Sequence, residues 1–378
     1  MLSIDEKIKG YSFQDERTKR LVERLPKKSI AVIVHQDIDM AAAEKLISCK
    51  VKAVINLKTS MSGLFSHKGV EVLLDSKIAV FDVEGQLELN LEGKLLLITN
   101  GHLFQDVDGV WEFVCKVSRY SYAQVQQLRI VANSNFPKQF KDFVGNSLYY
   151  GEKELDLFVK EVQKLPVLRQ FLGKEVLIVA RGPNYEKDLL LLKPFIKKKK
   201  FLIIAVDGGA DGLLKIGIKP DFIVGDMDSV SEKSLKSGAQ LLVHTYRDGR
   251  SPGEQRINSL GLSFKRISLL GTSEDVATIF AYCSGAKRLY TVGTRLGMNE
   301  FLEKGRIGMG SSLLTRMKVS HVLVDLKGFH SLFNEEKEKE KELGGWKLIP
   351  AAITIGLLVV SDRFDLFIAL VFQWWGGR

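Results

Sequence analysis

Short apolar runs, several of them closed by glycine or aspartate, recur along this 378-residue chain and alternate with stretches of helical periodicity. Ile30 to Val34, Val51 to Leu57 and Ile78 to Phe81 read as buried strands, being mostly apolar, bounded by turn formers and too short for helices. A helix to Ser48 and another near Lys68 to Leu74 lie between them, which predicts a β-α-β-α-β unit. A basic amphipathic helix over residues 16–25 precedes this unit and ends at Pro26. Between Leu87 and Val117 the pattern changes to short alternating strands, Lys94 to Thr99 and Val110 to Val117, expected as a small β appendage. Helical periodicity then dominates from Tyr120 to Leu165, with Tyr149-Tyr150-Gly151 expected to break it. Glu152 to Lys164 places Leu155, Phe158, Val159 and Val162 on one face, and Pro166 stops the helix.

A second series of apolar runs follows at Val176 to Ala180, Phe201 to Val206, Phe222 to Val224 and Leu241 to His244. It continues through Ile267 to Leu270, Arg288 to Val292 and His321 to Leu326. Ser229 with Glu232 forms a capping-box pattern, and Gly271 to Asp275 and Gly308 to Ser312 open further helices. The expected architecture is therefore α/β throughout. An α/β domain with its small β appendage covers 1–118, a helical connector 119–170 and a second α/β domain 171–334. The charged run EEKEKEKE falls in a linker, 335–345, and an apolar segment, 346–378, ends the chain.

In that last segment Trp346 to Val360 is interrupted only by Lys347 and Pro350, and Leu366 to Trp375 is apolar again. A spanning helix needs about 20 apolar residues, so one pass and a dip with return both stay open. Trp346, Trp374 and Trp375 sit at the outer ends, as interfacial anchors do, and a membrane anchor is expected over a buried hairpin. Met1 to Gly10 carries acidic residues and no apolar core, so no signal peptide is expected. Cys49, Cys115 and Cys283 lie far apart without metal spacing, which fits a reducing compartment. The globular domains are accordingly expected in the cytoplasm, held at the cytoplasmic membrane by the carboxyl terminus. The net charge is +10, but the only basic run is Lys197 to Lys200, which reads as a solvated turn. No aromatic residues interleave with it, so nucleic acid is not an expected partner.

The candidate chemistry lies in Val206 to Ser229. Two successive strands deliver Asp207, Asp226 and Asp228 at their carboxyl ends, where open α/β sheets place ligands. Asp226 and Asp228 are two apart, so on extended backbone their carboxylates would face one way. Such a pair beside Gly208 and Gly209 suits Mg²⁺ held jointly with ATP or another nucleotide or polyphosphate; the bland alternative is that each Asp caps a turn. Arg181 and Gly182 follow a strand directly and could meet a phosphate, as could Ser229. Arg247 and Arg250 lie in a loop with Gly249, Pro252 and Gly253, and Glu274 and Asp275 open the next helix. His35 reads more simply as a polar strand-end residue than as a ligand or base, and Ser62-Gly63 as a turn or an anion site.

The stretch DGGADGLLKIGIKPDFIVGDMDS resembles the nucleotide-binding core of thiamine pyrophosphokinases. With RGPNYEKDLLLLKPFI, HTYRDGRSPG and GTSEDVA, and with ERTKRL, AVIVHQDID, VINLKTSMSG, FVGNSLYY and an apolar tail, nearly the whole chain resembles SteA-type cytokinetic ring proteins. That resemblance implies a membrane-attached protein of bacterial cell division with a division-protein partner and a pyrophosphokinase-like domain. It assigns Asp207, Asp226 and Asp228 to the carboxylates near ATP and Mg²⁺. The pattern departs on the acceptor side. The Lys-Asp-x-Thr-Asp loop of thiamine pyrophosphokinases is replaced by DGRSPG or by Ser273-Glu274-Asp275. Their Gly-Arg-x-Asp-His stretch is replaced by Thr294 to Glu300. A scaffold or regulator that binds nucleotide is expected, an active ATP-dependent pyrophosphokinase being the alternative, and self-association is compatible with either.

Overall fold

The computed structural model describes residues 7–85, 90–245, 249, 251–333 and 373. Arg247 and Arg250, the charged linker and the apolar tail apart from Gln373 lie outside the described residues. Among the described residues no helix is long and apolar enough to cross a membrane.

The first unit is a closed seven-stranded barrel. Its elements in chain order are β1 (Ile8–Asp15), α1 (Thr18–Arg24), β2 (Ile30–Ile33), α2 (Met40–Ser48), β3 (Ala53–Asn56), α3 (Gly69–Asp75), β4 (Ala79–Val83), β5 (Leu95–Thr99), β6 (His102–Val107) and β7 (Val110–Arg119). Strands β1 to β4 run parallel and in order, and β7, β6 and β5 return antiparallel from β4 to β1. The expected β appendage is thus no appendage, because its strands close the sheet on itself and remove both edges. Alternation sorts each strand. Ile30, Val32, Ala53 and Ile55 fill the barrel with Leu96, Ile98 and Leu103, whereas Ala31, Ile33 and Val54 pack under the helices with Leu21 and Leu46. The closing strand β1 and the hairpin strand β6 were not foreseen from the pattern.

A single helix, α4 (Tyr122–Gln163), links the two units over about 63 Å at 1.5 Å per residue. Ser121 and Gln124 form its capping box. The break expected at Tyr149-Tyr150-Gly151 does not occur. Gly151 is instead buried where α4 meets a helix of the second unit, and the missing side chain of Gly310 on that helix lets the two backbones approach.

The second unit is a seven-stranded, all-parallel sheet with helices on both faces. It comprises β8 (Glu175–Val179), α5 (Tyr185–Lys199), β9 (Leu202–Val206), α6 (Gly209–Lys215), β10 (Phe222–Gly225), α7 (Glu232–Leu235), β11 (Gln240–His244), α8 (Pro252–Ser259), β12 (Phe264–Ile267), α9 (Ser273–Cys283), β13 (Arg288–Val292), α10 (Met298–Leu302), α11 (Gly310–Val319) and β14 (Leu323–Asp325). The spatial order β12-β11-β10-β9-β8-β13-β14 reverses direction between β8 and β13. One face packs Ile178, Ile204, Val224 and Phe280, and the other packs Val179, Leu189, Ala205 and Leu213.

Three local expectations change. Ser231, not Ser229, caps α7, its side chain accepting from Ser234 N. Lys197, Lys198 and Lys199 form the last turn of α5, where cations meet the negative end of the helix dipole, and Lys200 leaves it at φ 49°. Strand β12 ends at Ile267, so Ser268 to Leu270 belong to the loop that leads to α9.

Candidate functional site

Parallel strands fed by crossover helices present all their carboxyl ends on one edge of the sheet, which makes that edge the natural site. Val206 pairs with Val224 in register, and Asp207 N donates to Val224 O at 3.0 Å, so the chain leaves β9 still attached to β10. Asp207 then adopts φ 45°, a left-handed turn that aspartate tolerates, and α6 starts at Gly209. Gly225 stands at φ 152°, and a side chain there would overlap Asp207 Oδ1. Asp207 Oδ1 accepts from Met227 N at 3.2 Å, and Asp226 and Ser273, at the start of α9, lie close enough to act on the same carboxyl. Burial, and then the Asp226 charge, push its pKa up to about 7.

The extended backbone expected from Asp226 to Asp228 is not found. Met227 lies at φ 63°, buried, and Asp228 N turns back to donate to Asp226 Oδ1 at 3.1 Å. Asp228 and Ser229 continue this turn, Asp228 exposed and Ser229 half-buried. The carboxylates that meet are Asp207 and Asp226, from neighbouring strands. That pairing depends on β9 and β10 lying side by side, which residue spacing does not reveal.

Arg181 and Gly182 follow β8, at the point where the strand order reverses. The Arg181 guanidinium lies across Gly208, where an added Cβ would come within 2.7 Å of Nη1. Gly182 is pressed against Gly293 after β13, and a Cβ on either would overlap backbone of the opposite loop. Gly209 is as tightly placed against Val179 O. These glycines hold three strand-end loops together. Arg295 joins them, its Nη2 donating to Arg181 O at 2.9 Å and its N to Glu274 Oε2 at 2.9 Å. Burial raises the Glu274 carboxyl to about 7, the Arg295 contacts opposing it. The neighbouring Thr294 hydroxyl is buried without a hydrogen-bond partner in the protein.

Asp275 sits beneath this loop. Its Oδ2 accepts from Thr272 N and Oγ1, both at 2.9 Å, and from Ser312 Oγ at 2.7 Å, which ties α9 to α11. Its part is to cap α9. The residues brought together at the sheet edge are Arg181, Gly208, Asp207, Asp226, Ser273, Glu274 and Arg295. Ser273 and Arg295 fall within Ser273-Glu274-Asp275 and Thr294 to Glu300, stretches set apart in the sequence without a role for either residue. Among the described residues no group of three or more His, Cys, Asp or Glu side chains converges in a metal-binding arrangement.

The readings for the barrel are settled by bonds within it. Asn56 Oδ1 accepts from His35 N at 3.0 Å, and the His35 ring contacts Thr18 Oγ1 at 3.2 Å through Nδ1. Ser62 donates its N and Oγ to Asp37 at 2.6 and 3.0 Å. A second anion at Ser62-Gly63 would meet the Asp37 charge, so this loop is a turn.

Residues 153–251 match a family described as 6-hydroxymethylpterin diphosphokinase MptE-like. Over 81 residues the chain is 35% identical to 6-hydroxymethyl-7,8-dihydropterin pyrophosphokinase of Methanocaldococcus jannaschii, an alignment covering 20% of this chain and 33% of that protein. The chain thus spans about a third of the length of that relative. The crystal structure of thiamine pyrophosphokinase from Bacillus subtilis aligns over 40% of this chain and 60% of its own, at 22% identity and a TM-score of 0.25. The match over 153–251 takes in β8 to β11 and with them Arg181, Asp207 and Asp226. This chain therefore carries a pyrophosphokinase-like domain.

Proposed function

We propose that the second unit binds a nucleoside polyphosphate with Mg²⁺ at Asp207 and Asp226, and that the protein uses this site as a membrane-attached scaffold or regulator of bacterial cell division. The observation that carries the reading is the meeting of Asp207 and Asp226 beside the Gly208-Gly209 turn, where the Asp226 charge acts on the Asp207 carboxyl. Burying two acids together is unfavourable unless a proton or a cation neutralises them. Mg²⁺ uses one or two carboxylates and completes its shell with water and phosphate oxygens, so an oxygen-only pair fits it. A bound cation would neutralise phosphate charge there. Arg181, lying over Gly208, would hold the phosphates and Ser273 would orient the Asp207 carboxyl. The division role and the anchor rest on the SteA-type resemblance and the Trp-flanked apolar tail.

Two observations bear on whether turnover accompanies binding. Glu274 and Asp275, on the acceptor side, are engaged in holding Arg295, Thr272 and Ser312, which favours a binding role. The similarity to a pterin pyrophosphokinase favours the second reading, diphosphoryl transfer from ATP to a hydroxymethyl acceptor with release of AMP. Isothermal titration of the full chain with ATP, with and without Mg²⁺, tests the first claim; Mg²⁺-dependent binding is expected, and its absence overturns the site. Incubation with ATP, Mg²⁺ and either thiamine or 6-hydroxymethyl-7,8-dihydropterin separates the readings. Little AMP is expected, and AMP release coupled to a diphosphorylated acceptor establishes the enzyme instead. Fractionation of cells expressing the full chain or a version ending at Asn334 tests the anchor, with only the full chain expected in the membrane fraction.

A further inference from the structure

Helix α4 carries an apolar stripe that neither unit covers. Phe136, Phe140, Val144 and Leu148 recur every fourth residue, Leu155 and Val159 continue the line, and Ile130 precedes it. All seven are between 37% and 62% exposed. The buried positions of the same helix, among them Val125, Ala132, Phe143, Ser147 and Phe158, pack against the two units. Phe136 and Phe140 stack on each other in solvent, ring centroids 5.4 Å apart. A monomeric surface rarely leaves so long a contiguous apolar line.

We propose that a second copy of this chain occupies the stripe, the two α4 helices running antiparallel about a two-fold axis near Asn146. A centre close to Asn146 sets Val144 against the partner's Leu148 and Phe136 against the partner's Leu155. The charges at its edge agree. At 3.6 residues per turn Asp156 lies about five turns beyond Lys138, and Glu152 about three beyond Lys141, so all four share one edge of the stripe. All four are exposed. In an antiparallel pair like edges face each other. Lys138 then meets the partner's Asp156 and Lys141 the partner's Glu152 about the same centre, pairings that a parallel arrangement, in which opposite edges face each other, does not make. Seven half-exposed side chains leave on the order of 600 Å² of apolar surface per helix, so pairing removes at most about 1,200 Å², the size at which specific interfaces begin.

The test is the mass of the full chain in mild detergent by sedimentation equilibrium, for the wild type and for charge-swapped variants. A dimer is expected at micromolar concentration. Lys138→Glu with Lys141→Glu should weaken it at least tenfold, as should Glu152→Lys with Asp156→Lys. The four changes together should restore it, a rescue that misfolding or a parallel pair cannot give. A monomeric wild type overturns the proposal, as does a dimer indifferent to Val144→Glu with Leu148→Glu. A chain that dimerises only after removal of residues 346–378 also overturns it, since the tail would then be the natural occupant of the stripe.

Discussion

Asp207 and Asp226 leave the carboxyl ends of neighbouring parallel strands, and the Asp226 charge adds to burial in raising the Asp207 carboxyl, a placement that a proton or a cation between the two acids relieves. The glycine at 225 makes the arrangement sterically feasible, because any side chain there would overlap the Asp207 carboxyl. The pair is thus a feature of the sheet rather than of either loop.

A pH dependence follows from the Asp207 carboxyl. Its folded pKa is raised above the unfolded value of about 3.9, so its contribution to stability is complete below that value and is lost as pH rises through about 7. Asp207→Asn keeps the shape and tolerates the left-handed backbone without ionising. Its Tm should exceed that of the wild type at pH 8 in metal-free buffer, with the gap narrowing steadily toward pH 4. Thermal melts across that range check it, and a gap independent of pH would contradict the buried pair.

Asp226→Asn should weaken Mg²⁺-dependent nucleotide binding at least tenfold, because it removes one of two anionic oxygen donors from a hard-cation site. Asp228→Asn, on the exposed far side of the Met227 turn, should change affinity less than threefold, about 0.6 kcal/mol. Titration of both variants with ATP and Mg²⁺ ranks the two carboxylates. Equal losses would return the assignment to the pair expected from spacing alone.

Gly225→Ala should destabilise the second unit by about 1–3 kcal/mol, since the methyl group must displace Asp207 and the backbone sits at φ 152°. Urea unfolding measures it. Nucleotide affinity should fall in the same variant even where the fold survives.

The contact between Gly151 and Gly310 is asymmetric, and alanine scanning reveals it. A Cβ on Gly151 would find its nearest neighbour at 3.9 Å, whereas one on Gly310 would lie 2.7 Å from Gly151 N and 2.8 Å from Tyr150. Gly151→Ala should stabilise α4 by up to about 1 kcal/mol through helix propensity, and Gly310→Ala should cost about 1–3 kcal/mol. Melts of the two single variants decide it by the opposite signs of their shifts.

The two units also meet through Lys304 Nζ and Asp39 Oδ2 at 3.0 Å. Burial works to raise the Asp39 carboxyl, but Lys304 and the Ala42 N–H outweigh it and hold the pKa below the usual carboxylate value. The stabilisation is therefore present above about pH 4 and lost as pH falls. Lys304→Met should lower Tm at pH 7 by a few degrees, with the difference shrinking as pH falls below about 4, and differential scanning calorimetry across that range checks it.

The sequence alone determined most of the strands and the sheet edge that carries the acids. Apolar runs such as Phe201 to Val206 can be buried only as strands, and the glycines and aspartates that end them mark where each chain segment turns. The helix start at Gly271 to Asp275 was legible because capping is a local hydrogen-bond requirement, met by Thr272 and Asp275, and that at Gly308 to Ser312 because glycines end the preceding segment. Long-range pairing was not legible. Strand β1 is half polar, and it closes the barrel through β2 and β5, with Ser12 Oγ bonding Lys94 O at 2.9 Å. Gly151 read as a helix break because the close approach of Gly310, some 160 positions later in the chain, is invisible to local periodicity. Spacing likewise paired Asp226 with Asp228. Only the register of β9 against β10, with Met227 in a left-handed turn, brought Asp226 to Asp207. A carboxylate's neighbours along the chain are set by sequence, but its neighbours across a sheet are set by strand order, and strand order is decided by the packing of the whole domain.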